Sequence, residues 1–274
     1  MTASFFATLM CFSQSLLWKI SGNGLESPSY LYGTIHISDK RVFAFDSTVT
    51  KAMESCDAFA CESKNSRVPI LLAFRTVLMK ERMESLLSDS VYHLLDSIVT
   101  KSGQNIRIYS RIKPIFAETI LTSQELWKGI ILDHYLLQNA KAQKKKCYSL
   151  EGERDALKLF NRISLEYQVE HFSDCILYLS SDSTYLTRHN QELIENYLQF
   201  RFDSVHEGSI IDSLFVIERN VVFADNVVKI TNKRKSVFCA FGCGHLLGEE
   251  GVIAILRRRG YSVEPVPFQW NSVQ

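Results

Sequence analysis

Two continuous apolar runs of strand length stand out in the hydrophobic pattern, one near each end of the chain. Residues 30–35 read Tyr-Leu-Tyr-Gly-Thr-Ile, and residues 237–241 read Val-Phe-Cys-Ala-Phe. Uninterrupted runs of aromatic, aliphatic and β-branched residues are typical of buried strands. Both runs close on the pattern Gly-x-x-His, with histidines at His36 and His245. The repeat predicts two buried strands that each deliver an imidazole to the edge of a sheet, where the glycine lets the backbone bend closely.

The first third of the chain predicts a β-hairpin. Residues 16–20 and 29–35 are strand-like, and the Ser-Gly-Asn-Gly sequence at 21–24 supplies residues that tolerate positive φ angles. Because the second arm of this hairpin is also the first of the two apolar runs, His36 is expected directly after it.

A βαβ unit is predicted after the hairpin. Asp46 or Ser47 can cap a short helix, whose apolar residues recur at the spacing i, i+3, i+4 and i+7. These apolar residues are Val49, Ala52, Met53 and Cys56. Residues 58–61 then form a further buried strand that ends at Glu62. Functional groups of parallel strands gather beyond their carboxyl ends, and both His36 and Glu62 fall there.

A helical insertion is predicted over residues 68–200. Its apolar spacing predicts helices near 71–78, 86–98, 115–127 and 130–143, with further helices before residue 200. A short strand at 146–150 is expected within the insertion, and it would deliver Glu151 to its end much as the strand at 58–61 delivers Glu62. We expect the insertion to form a lid or cap over the sheet.

The last third repeats the order of the first. A helix over 213–230 carries Arg219 and Asn220, and the second apolar run with its Gly-x-x-His follows. A helix from Leu246 or Glu249 to Arg259 is expected next, with acids in its first turn, arginines in its last turn and a glycine stop at residue 260. A strand at 261–266 closes the chain. The fold class predicted is therefore α/β, a mixed sheet built from two similar strand-GxxH-helix-strand halves with a central helical insertion.

Composition and charge limit the function classes. The chain has 274 residues, of which 46% are hydrophobic and 22% charged, and its net charge is +1. This composition supports one compact domain over residues 16–274, and the near-neutral charge argues against a nucleic-acid partner. Seven cysteines without a C-x-x-C pair argue against a structural zinc knot. The sequence leaves the oligomeric state open.

Residues 1–15 are predicted to be either the remnant of a signal peptide or the disordered or strand-like start of the chain. An apolar stretch at 5–12 has the order of a signal peptide, but no positive charge precedes it. The stretch is also too short to span a membrane, so no integral membrane segment is expected. An exported location, periplasmic or secreted, is slightly favoured over the cytoplasm.

The candidate chemistry is that of a divalent metal ion. Two imidazoles and one carboxylate, here His36, His245 and Glu62, are the ligand set of a catalytic Zn²⁺, Mn²⁺ or similar ion that leaves one position for water. Such an ion lowers the pKa of water and polarises a carbonyl oxygen, as hydrolysis of an amide or ester requires. The competing interpretation is that both histidines are structural residues hydrogen-bonded at strand ends.

Three further residues are candidates for catalytic roles. Arg219 and Asn220 can orient a ligand carboxylate or stabilise an oxyanion, and Glu151 can serve as a further ligand or as a general base. Each also has a structural interpretation, because Glu151 can simply begin a helix and Arg219 can form a surface ion pair with Glu218.

Taken in order, these motifs resemble the TraB/GumN family, which includes the pheromone-shutdown proteins of the TraB type and is related to the Tiki metalloproteases. The resemblance runs through residues 17–20, 32–36, 59–62, 150–151, 218–220, 241–245, 248–251 and 259–261. It therefore covers most of the chain and includes both Gly-x-x-His motifs.

The resemblance implies an α/β fold of two similar halves with a helical insertion and, for the Tiki branch, a protease that depends on a divalent metal such as manganese or cobalt. His36, Glu62 and His245 match the metal-binding positions proposed for the family, and Arg219 and Asn220 match its Arg-Asn pair. Unlike some relatives, the sequence has no evident membrane anchor after its last predicted strand.

Three functions are consistent with these residues. The first is a metal-dependent hydrolase, a peptidase that acts on a peptide or a protein terminus with Mn, Co or Zn on His36, Glu62 and His245. The second is a non-catalytic protein that sequesters a peptide in the same cleft. The third is a metal-dependent ester or lactone hydrolase, because the metal chemistry does not distinguish between these bonds.

Overall fold

The computed structural model describes residues 15–64, 70–123, 129–182, 184–201 and 213–273. Most of the segment predicted as a signal remnant lies outside these ranges. Ser15 is the first residue described, and its hydroxyl group donates a hydrogen bond to the carbonyl oxygen of Val266 at 2.9 Å.

The described residues form one six-stranded mixed sheet. Its strands are β1 (Leu17–Ser21), β2 (Ser29–Thr34), β3 (Ala58–Cys61), β4 (Lys146–Ser149), β5 (Val237–Gly242) and β6 (Ser262–Pro265). They lie in the order β4-β3-β5-β2-β1-β6. The four strands from β4 to β2 are parallel, whereas β1 is antiparallel to both β2 and β6. The α/β class and the mixed sheet predicted from the sequence are thus confirmed.

The predicted hairpin is formed by β1 and β2. Leu17 pairs with Tyr32 and Ile20 with Ser29 in antiparallel register. Asn23 has a φ angle of 47°, and the glycines on either side of it have φ angles of 78° and 80°. The turn therefore uses the left-handed conformations that its sequence tolerates.

Helices surround the sheet and fill the insertion. They are α1 (Ser47–Ser55), α2 (Ile70–Val77), α3 (Met83–Leu86), α4 (Asp89–Lys101), α5 (Pro114–Ser123), α6 (Leu132–Ala142), α7 (Glu153–Phe160), α8 (Leu165–Ser181), α9 (Tyr185–Leu198), α10 (Glu218–Thr231) and α11 (Val252–Arg258). A π-helical turn, Ser213–Ile217, leads into α10. Asp46 caps α1 as predicted, since its side chain accepts a hydrogen bond from the backbone N–H of Thr48.

The helices that follow β2 and β5 lie on opposite faces of the sheet. On one face, α1 buries Val49 and Met53 in a cluster with Tyr32 of β2. On the other face, α11 buries Leu256 in a cluster with Leu31 of β2. Neighbouring parallel strands whose helices diverge in this way leave a crevice beyond their carboxyl ends, where α/β proteins bind ligands.

The insertion has a hydrophobic cluster of its own. Helices α4, α5 and α8 pack together around Leu95, Ala117, Phe172 and Ile176, all of them fully buried. This cluster shares no residue with the clusters on the two faces of the sheet. The role of the insertion as a lid stays a prediction.

Two finer predictions differ from the structure. The similarity of the two halves is not confirmed, because β3 lies directly beside β5, whereas β6 lies at the far edge beside β1. The last helix begins at Val252, so that Glu249 and Glu250 precede it. The turn before this helix is tight, and a Cβ atom on Gly251 would lie 2.2 Å from the carbonyl oxygen of Leu247.

None of the helices within the described ranges combines the length and apolar character needed to cross a bilayer.

Candidate active site

The predicted site residues gather at the carboxyl edge of the parallel strands. His36 follows β2, Glu62 follows β3, and His245 ends the single 3₁₀ turn that follows β5. Glu151 reaches the same edge because the pairing of β3 with β4 continues past the strands. The backbone N–H of Leu150 donates to the carbonyl oxygen of Cys61 at 2.8 Å, and that of Glu151 to the carbonyl oxygen of Glu62 at 3.1 Å.

Arg219 lies at the centre of the cluster. It projects from the first turn of α10, and its Cζ atom lies 5.0 Å from the centre of the Phe223 ring. Its Nη2 atom donates to Glu62 Oε2 at 2.7 Å, and its Nε atom donates to Glu151 Oε2 at 2.9 Å. Its Nη1 atom lies 3.4 Å from His245 Nε2. One guanidinium group therefore links three of the predicted residues.

The two carboxyl groups on Arg219 differ in their pKa. Burial raises the pKa of Glu62, but the charges of Arg219, His245 and His36 outweigh burial and lower this pKa to about 2. Burial also raises the pKa of Glu151, and Arg219 offsets this rise only in part, so the pKa of Glu151 stays above its usual value. Neighbouring groups whose pKa values move in opposite directions are typical of acid–base sites.

Asn220 fixes the orientation of His245. Its Nδ2 atom donates to the carbonyl oxygen of Glu250 at 2.7 Å, which leaves its Oδ1 atom as an acceptor. That oxygen lies 2.7 Å from His245 Nδ1, so Nδ1 carries the proton and Nε2 carries the lone pair. Burial lowers the pKa of His245 to about 4, which favours the neutral ring that metal ions bind.

His36 lies at the open side of the cluster. Its side chain is 51% exposed, and its Nε2 atom lies 3.9 Å from Glu62 Oε1. Its Nδ1 atom lies 3.0 Å from Asp133 Oδ2. Burial lowers the pKa of His36, but the carboxylates of Asp133 and Glu62 outweigh this effect and raise the pKa to about 9.

The glycines of the two Gly-x-x-His motifs allow close approach. A Cβ atom on Gly33 would lie 2.6 Å from Leu246 Cδ1 and 3.0 Å from the Cβ atom of Cys243. Gly33 therefore lets β2 pack directly against the loop that carries the second histidine. In the second motif, the N–H group of Gly242 donates to Glu62 Oε1 at 2.9 Å, so this glycine helps to hold the carboxylate.

The histidine nitrogens and the Glu62 carboxylate are donors of the type that divalent transition metals bind. Their positions fit such an ion only in part. Metal ions of this class bind histidine nitrogen and carboxylate oxygen at about 2.0–2.2 Å, so two ligands of one ion lie up to about 4 Å apart. The distance of 3.9 Å between His36 Nε2 and Glu62 Oε1 satisfies this limit. In the described ranges, however, no three His, Cys, Asp or Glu side chains form a complete metal site. Arg219 lies between Glu62 and His245 instead.

The structure thus brings all six predicted residues into one cluster, and it adds Asp133 and Thr34. Thr34 Oγ1 donates to Asp133 Oδ1 at 2.6 Å. Asp133 is the only carboxylate in the first turn of α6, directly before the apolar face of that helix. Such an acid is also a common helix-capping feature, so the sequence contained no signal that distinguished it.

The fold and the cluster define an α/β protein with carboxylate, arginine and histidine groups at the carboxyl edge of a mixed sheet. A sequence model of the TraB/PrgY/gumN family matches residues 16–265, and the chain belongs to this family.

Curated relatives include proteins named Metalloprotease TIKI. The chain is 25% identical to Metalloprotease TIKI2 of Xenopus tropicalis, over 92% of this chain and 60% of that protein. It is 25% identical to Metalloprotease TIKI1 of Danio rerio, over 92% of this chain and 63% of the relative. Identity to the human Metalloprotease TIKI1 is 21%, over 92% and 62% of the two chains. The chain therefore spans less than two thirds of the length of these relatives. No solved structure shows significant similarity to the chain.

Proposed function

We propose that the protein is a divalent-metal-dependent hydrolase, specifically a peptidase that acts on peptides or protein termini. The names of its relatives support a metal-dependent peptidase. The location of the cluster, beyond the carboxyl ends of parallel strands, is also where α/β enzymes place their chemistry.

One observation carries the proposal. Both histidines have their Nδ1 atom beside a side-chain oxygen, that of Asp133 for His36 and that of Asn220 for His245. In each ring the other nitrogen, Nε2, then faces the cluster around Glu62 and Arg219. Histidine ligands of metal ions are typically oriented in this way, by an oxygen acceptor on the nitrogen that does not bind the metal.

His36, Glu62 and His245 would hold the ion, and binding at His36 would displace the proton that its raised pKa of about 9 keeps on the ring at neutral pH. A bound divalent ion supplies a Lewis acid for the carbonyl oxygen and a water of lowered pKa. Glu62 suits this role because its pKa, lowered to about 2, keeps it ionised at neutral pH. Its Oε1 atom lies 3.9 Å from His36 Nε2.

Glu151, Arg219 and Asn220 have distinct roles in this proposal. Glu151 is the general base, because its raised pKa lies closer to neutral pH than that of Glu62. Arg219 holds the two carboxylates at fixed positions relative to each other. Asn220 is 2% exposed and acts through the orientation of His245 rather than on substrate.

The proposal is tested by metal content and by turnover. Protein purified without a histidine tag is titrated with Mn²⁺, Co²⁺ and Zn²⁺, and the loaded protein is screened against a peptide library and a panel of ester and lactone substrates. We expect about one equivalent of metal in the wild type and loss of both metal and cleavage in His36→Ala and His245→Ala. His171→Ala is the matched control, because His171 also pairs with a carboxylate but lies on α8, away from the cluster.

The screen also shows which type of bond the protein hydrolyses. Cleavage of peptides supports the peptidase, whereas turnover of esters or lactones alone would replace it with the third function. If the wild type binds none of the three metals, the metalloenzyme proposal fails.

A non-catalytic peptide-binding protein is the second candidate, and the position of Arg219 favours it. Arg219 already pairs with Glu62 and Glu151 and approaches His245, so the cluster is held together without an ion. This candidate predicts that library peptides bind to the wild type without being cleaved, and that His36→Ala does not weaken their binding.

A further inference from the structure

We propose that Asp133 is a positioning residue that fixes the ring of His36 for metal binding. This inference rests on the metal site proposed above and adds a residue from the helical insertion to it. Asp133 lies in the first turn of α6, and its two carboxylate oxygens contact two residues at the end of β2. Oδ1 accepts the hydroxyl hydrogen of Thr34 at 2.6 Å, and Oδ2 lies 3.0 Å from His36 Nδ1.

The second carboxylate oxygen of Asp133 is an unsatisfied hydrogen-bond acceptor. Asp133 Oδ2 is buried and receives no well-directed hydrogen bond from any of the residues described. A buried carboxylate oxygen without a donor is costly, and His36 Nδ1 is within hydrogen-bond distance. We expect a small rotation of the imidazole to align its Nδ1–H bond with this oxygen. Nε2 can stay on the side of Glu62, because the bonding directions of the two nitrogens diverge from Cε1, the atom between them.

Asp133 is itself held rigidly, as a positioning residue must be. Thr34 fixes one oxygen by a hydrogen bond, and the positive end of the α6 dipole attracts an acidic side chain in the first turn. The next turn of α6 buries Leu136 and Leu137 in the hydrophobic cluster that also contains Phe59 and Phe238 of the sheet. The carboxylate is therefore fixed relative to β2 by packing as well as by its hydrogen bond.

The orientation of the ring can be tested without any metal. In protein labelled with ¹⁵N-histidine, the Nδ1–H resonance of His36 is assigned by its loss in His36→Ala. We expect this resonance to be protected from solvent exchange in the wild type and to lose that protection in Asp133→Ala, which removes the acceptor oxygen. Thr34→Val, which frees the carboxylate without removing it, is expected to weaken the protection in part. An unchanged resonance in Asp133→Ala would overturn the proposal.

A matched control is available within the same chain. Glu118 Oε2 lies 2.9 Å from His171 Nδ1, which is the same kind of contact between α5 and α8. Glu118→Ala is expected to change the resonance of His171 and leave that of His36 as in the wild type. A loss of the His36 resonance in Glu118→Ala would mean that the effect is a general one on the fold.

Cobalt binding then tests the link to the metal. Removal of an acceptor that orients a histidine ligand typically weakens metal affinity about 10- to 100-fold. We expect this loss of Co²⁺ affinity, followed by absorbance and equilibrium dialysis, in Asp133→Ala but not in Glu118→Ala.

The outcomes separate this inference from the proposed function. If the wild type binds Co²⁺ through His36 but Asp133→Ala binds it equally well, the role of Asp133 is wrong and the metal site stands. If the wild type binds no Co²⁺, the metal site fails, and the resonance of His36 still decides whether Asp133 orients the ring.

Discussion

Arg219 contacts more of the site residues than any other member of the cluster does, and the two carboxylates that it binds are largely buried. Its side chain is 16% exposed, and those of Glu62 and Glu151 are 18% and 6% exposed. A guanidinium group presents its N–H donors in a planar fork, which allows one arginine to bind two carboxylates at once. Neither carboxylate is therefore independent of Arg219, and a change at Arg219 acts on both of them.

We predict that Arg219→Met lowers the free energy of unfolding by about 3–5 kcal/mol, because it leaves two buried carboxylates without their counter-charge. Methionine keeps much of the length of the side chain, so the loss measures charge rather than packing. Urea denaturation at neutral pH gives the value. The double variant Glu151→Gln with Arg219→Met should be more stable than Arg219→Met alone, because one of the two unpaired charges has been removed.

Arg162→Met is the control for this prediction. Arg162 pairs with Glu218 at the surface, where solvent screens the charges, and its removal should leave the denaturation midpoint close to that of the wild type. If Arg162→Met and Arg219→Met destabilise the protein equally, the pairing of Arg219 with the buried carboxylates does not stabilise the fold.

At the residue scale, the sequence identified six members of the cluster, but it identified neither Asp133 nor the contacts between the members. The end of each apolar run pointed to His36, Glu62 and His245. The contact between Thr34 and Asp133 joins residues 99 positions apart, and it depends on how α6 packs against the sheet. Local patterns contain no information about that placement.

At the element scale, local chemistry determined most boundaries. The Asp46 cap, the turn after β1 and the glycine stop at residue 260, whose φ angle is 89°, all rely on neighbours in sequence and were predictable. The start of α11 was not, because the acids that resemble a first helical turn belong to the turn held by Gly251. Helix ends that depend on a tight loop are poorly encoded in apolar periodicity.

Close packing between β2 and the second Gly-x-x-His loop leads to a prediction at this scale. Gly33→Ala would place a methyl group 2.6 Å from Leu246 Cδ1 and 3.0 Å from the Cβ atom of Cys243. Overpacking of this kind costs about 1–3 kcal/mol, and the loop must shift to relieve it. We expect a lower denaturation midpoint together with weaker Co²⁺ binding, because His245 moves with the loop.

Gly244→Ala is the matched control, since it makes the same chemical change within that loop. A Cβ atom on Gly244 would have no heavy atom within 4 Å among its described neighbours, and its φ angle is not positive. We expect stability within about 0.5 kcal/mol of the wild type. Equal effects of the two substitutions would show that the loop is sensitive to any added side chain rather than to its contact with β2.

At the scale of the whole molecule, the site depends on strand order. His36 and His245 are neighbours because β2 pairs with β5, although the two strands are about 200 residues apart in sequence. The sequence predicted parallel strands but not that β5 would insert between β3 and β2. That order reflects packing of helices on both faces, which is a property of the complete chain and not of any single segment.

The separate cluster of the insertion leads to the last prediction. Phe172 is fully buried among α4, α5 and α8, and it belongs to neither cluster of the sheet. Phe172→Ala should cost about 3–5 kcal/mol, and the loss should concentrate in the insertion. Hydrogen exchange should therefore accelerate in α4 and α8 but not in β2 and β5, and Co²⁺ affinity should stay unchanged.

Phe238→Ala, an equally buried change within the sheet, should instead accelerate exchange in the strands and weaken Co²⁺ binding. Faster exchange in β2 and β5 caused by Phe172→Ala would mean that sheet and insertion unfold as one unit, and that the insertion supports the site directly.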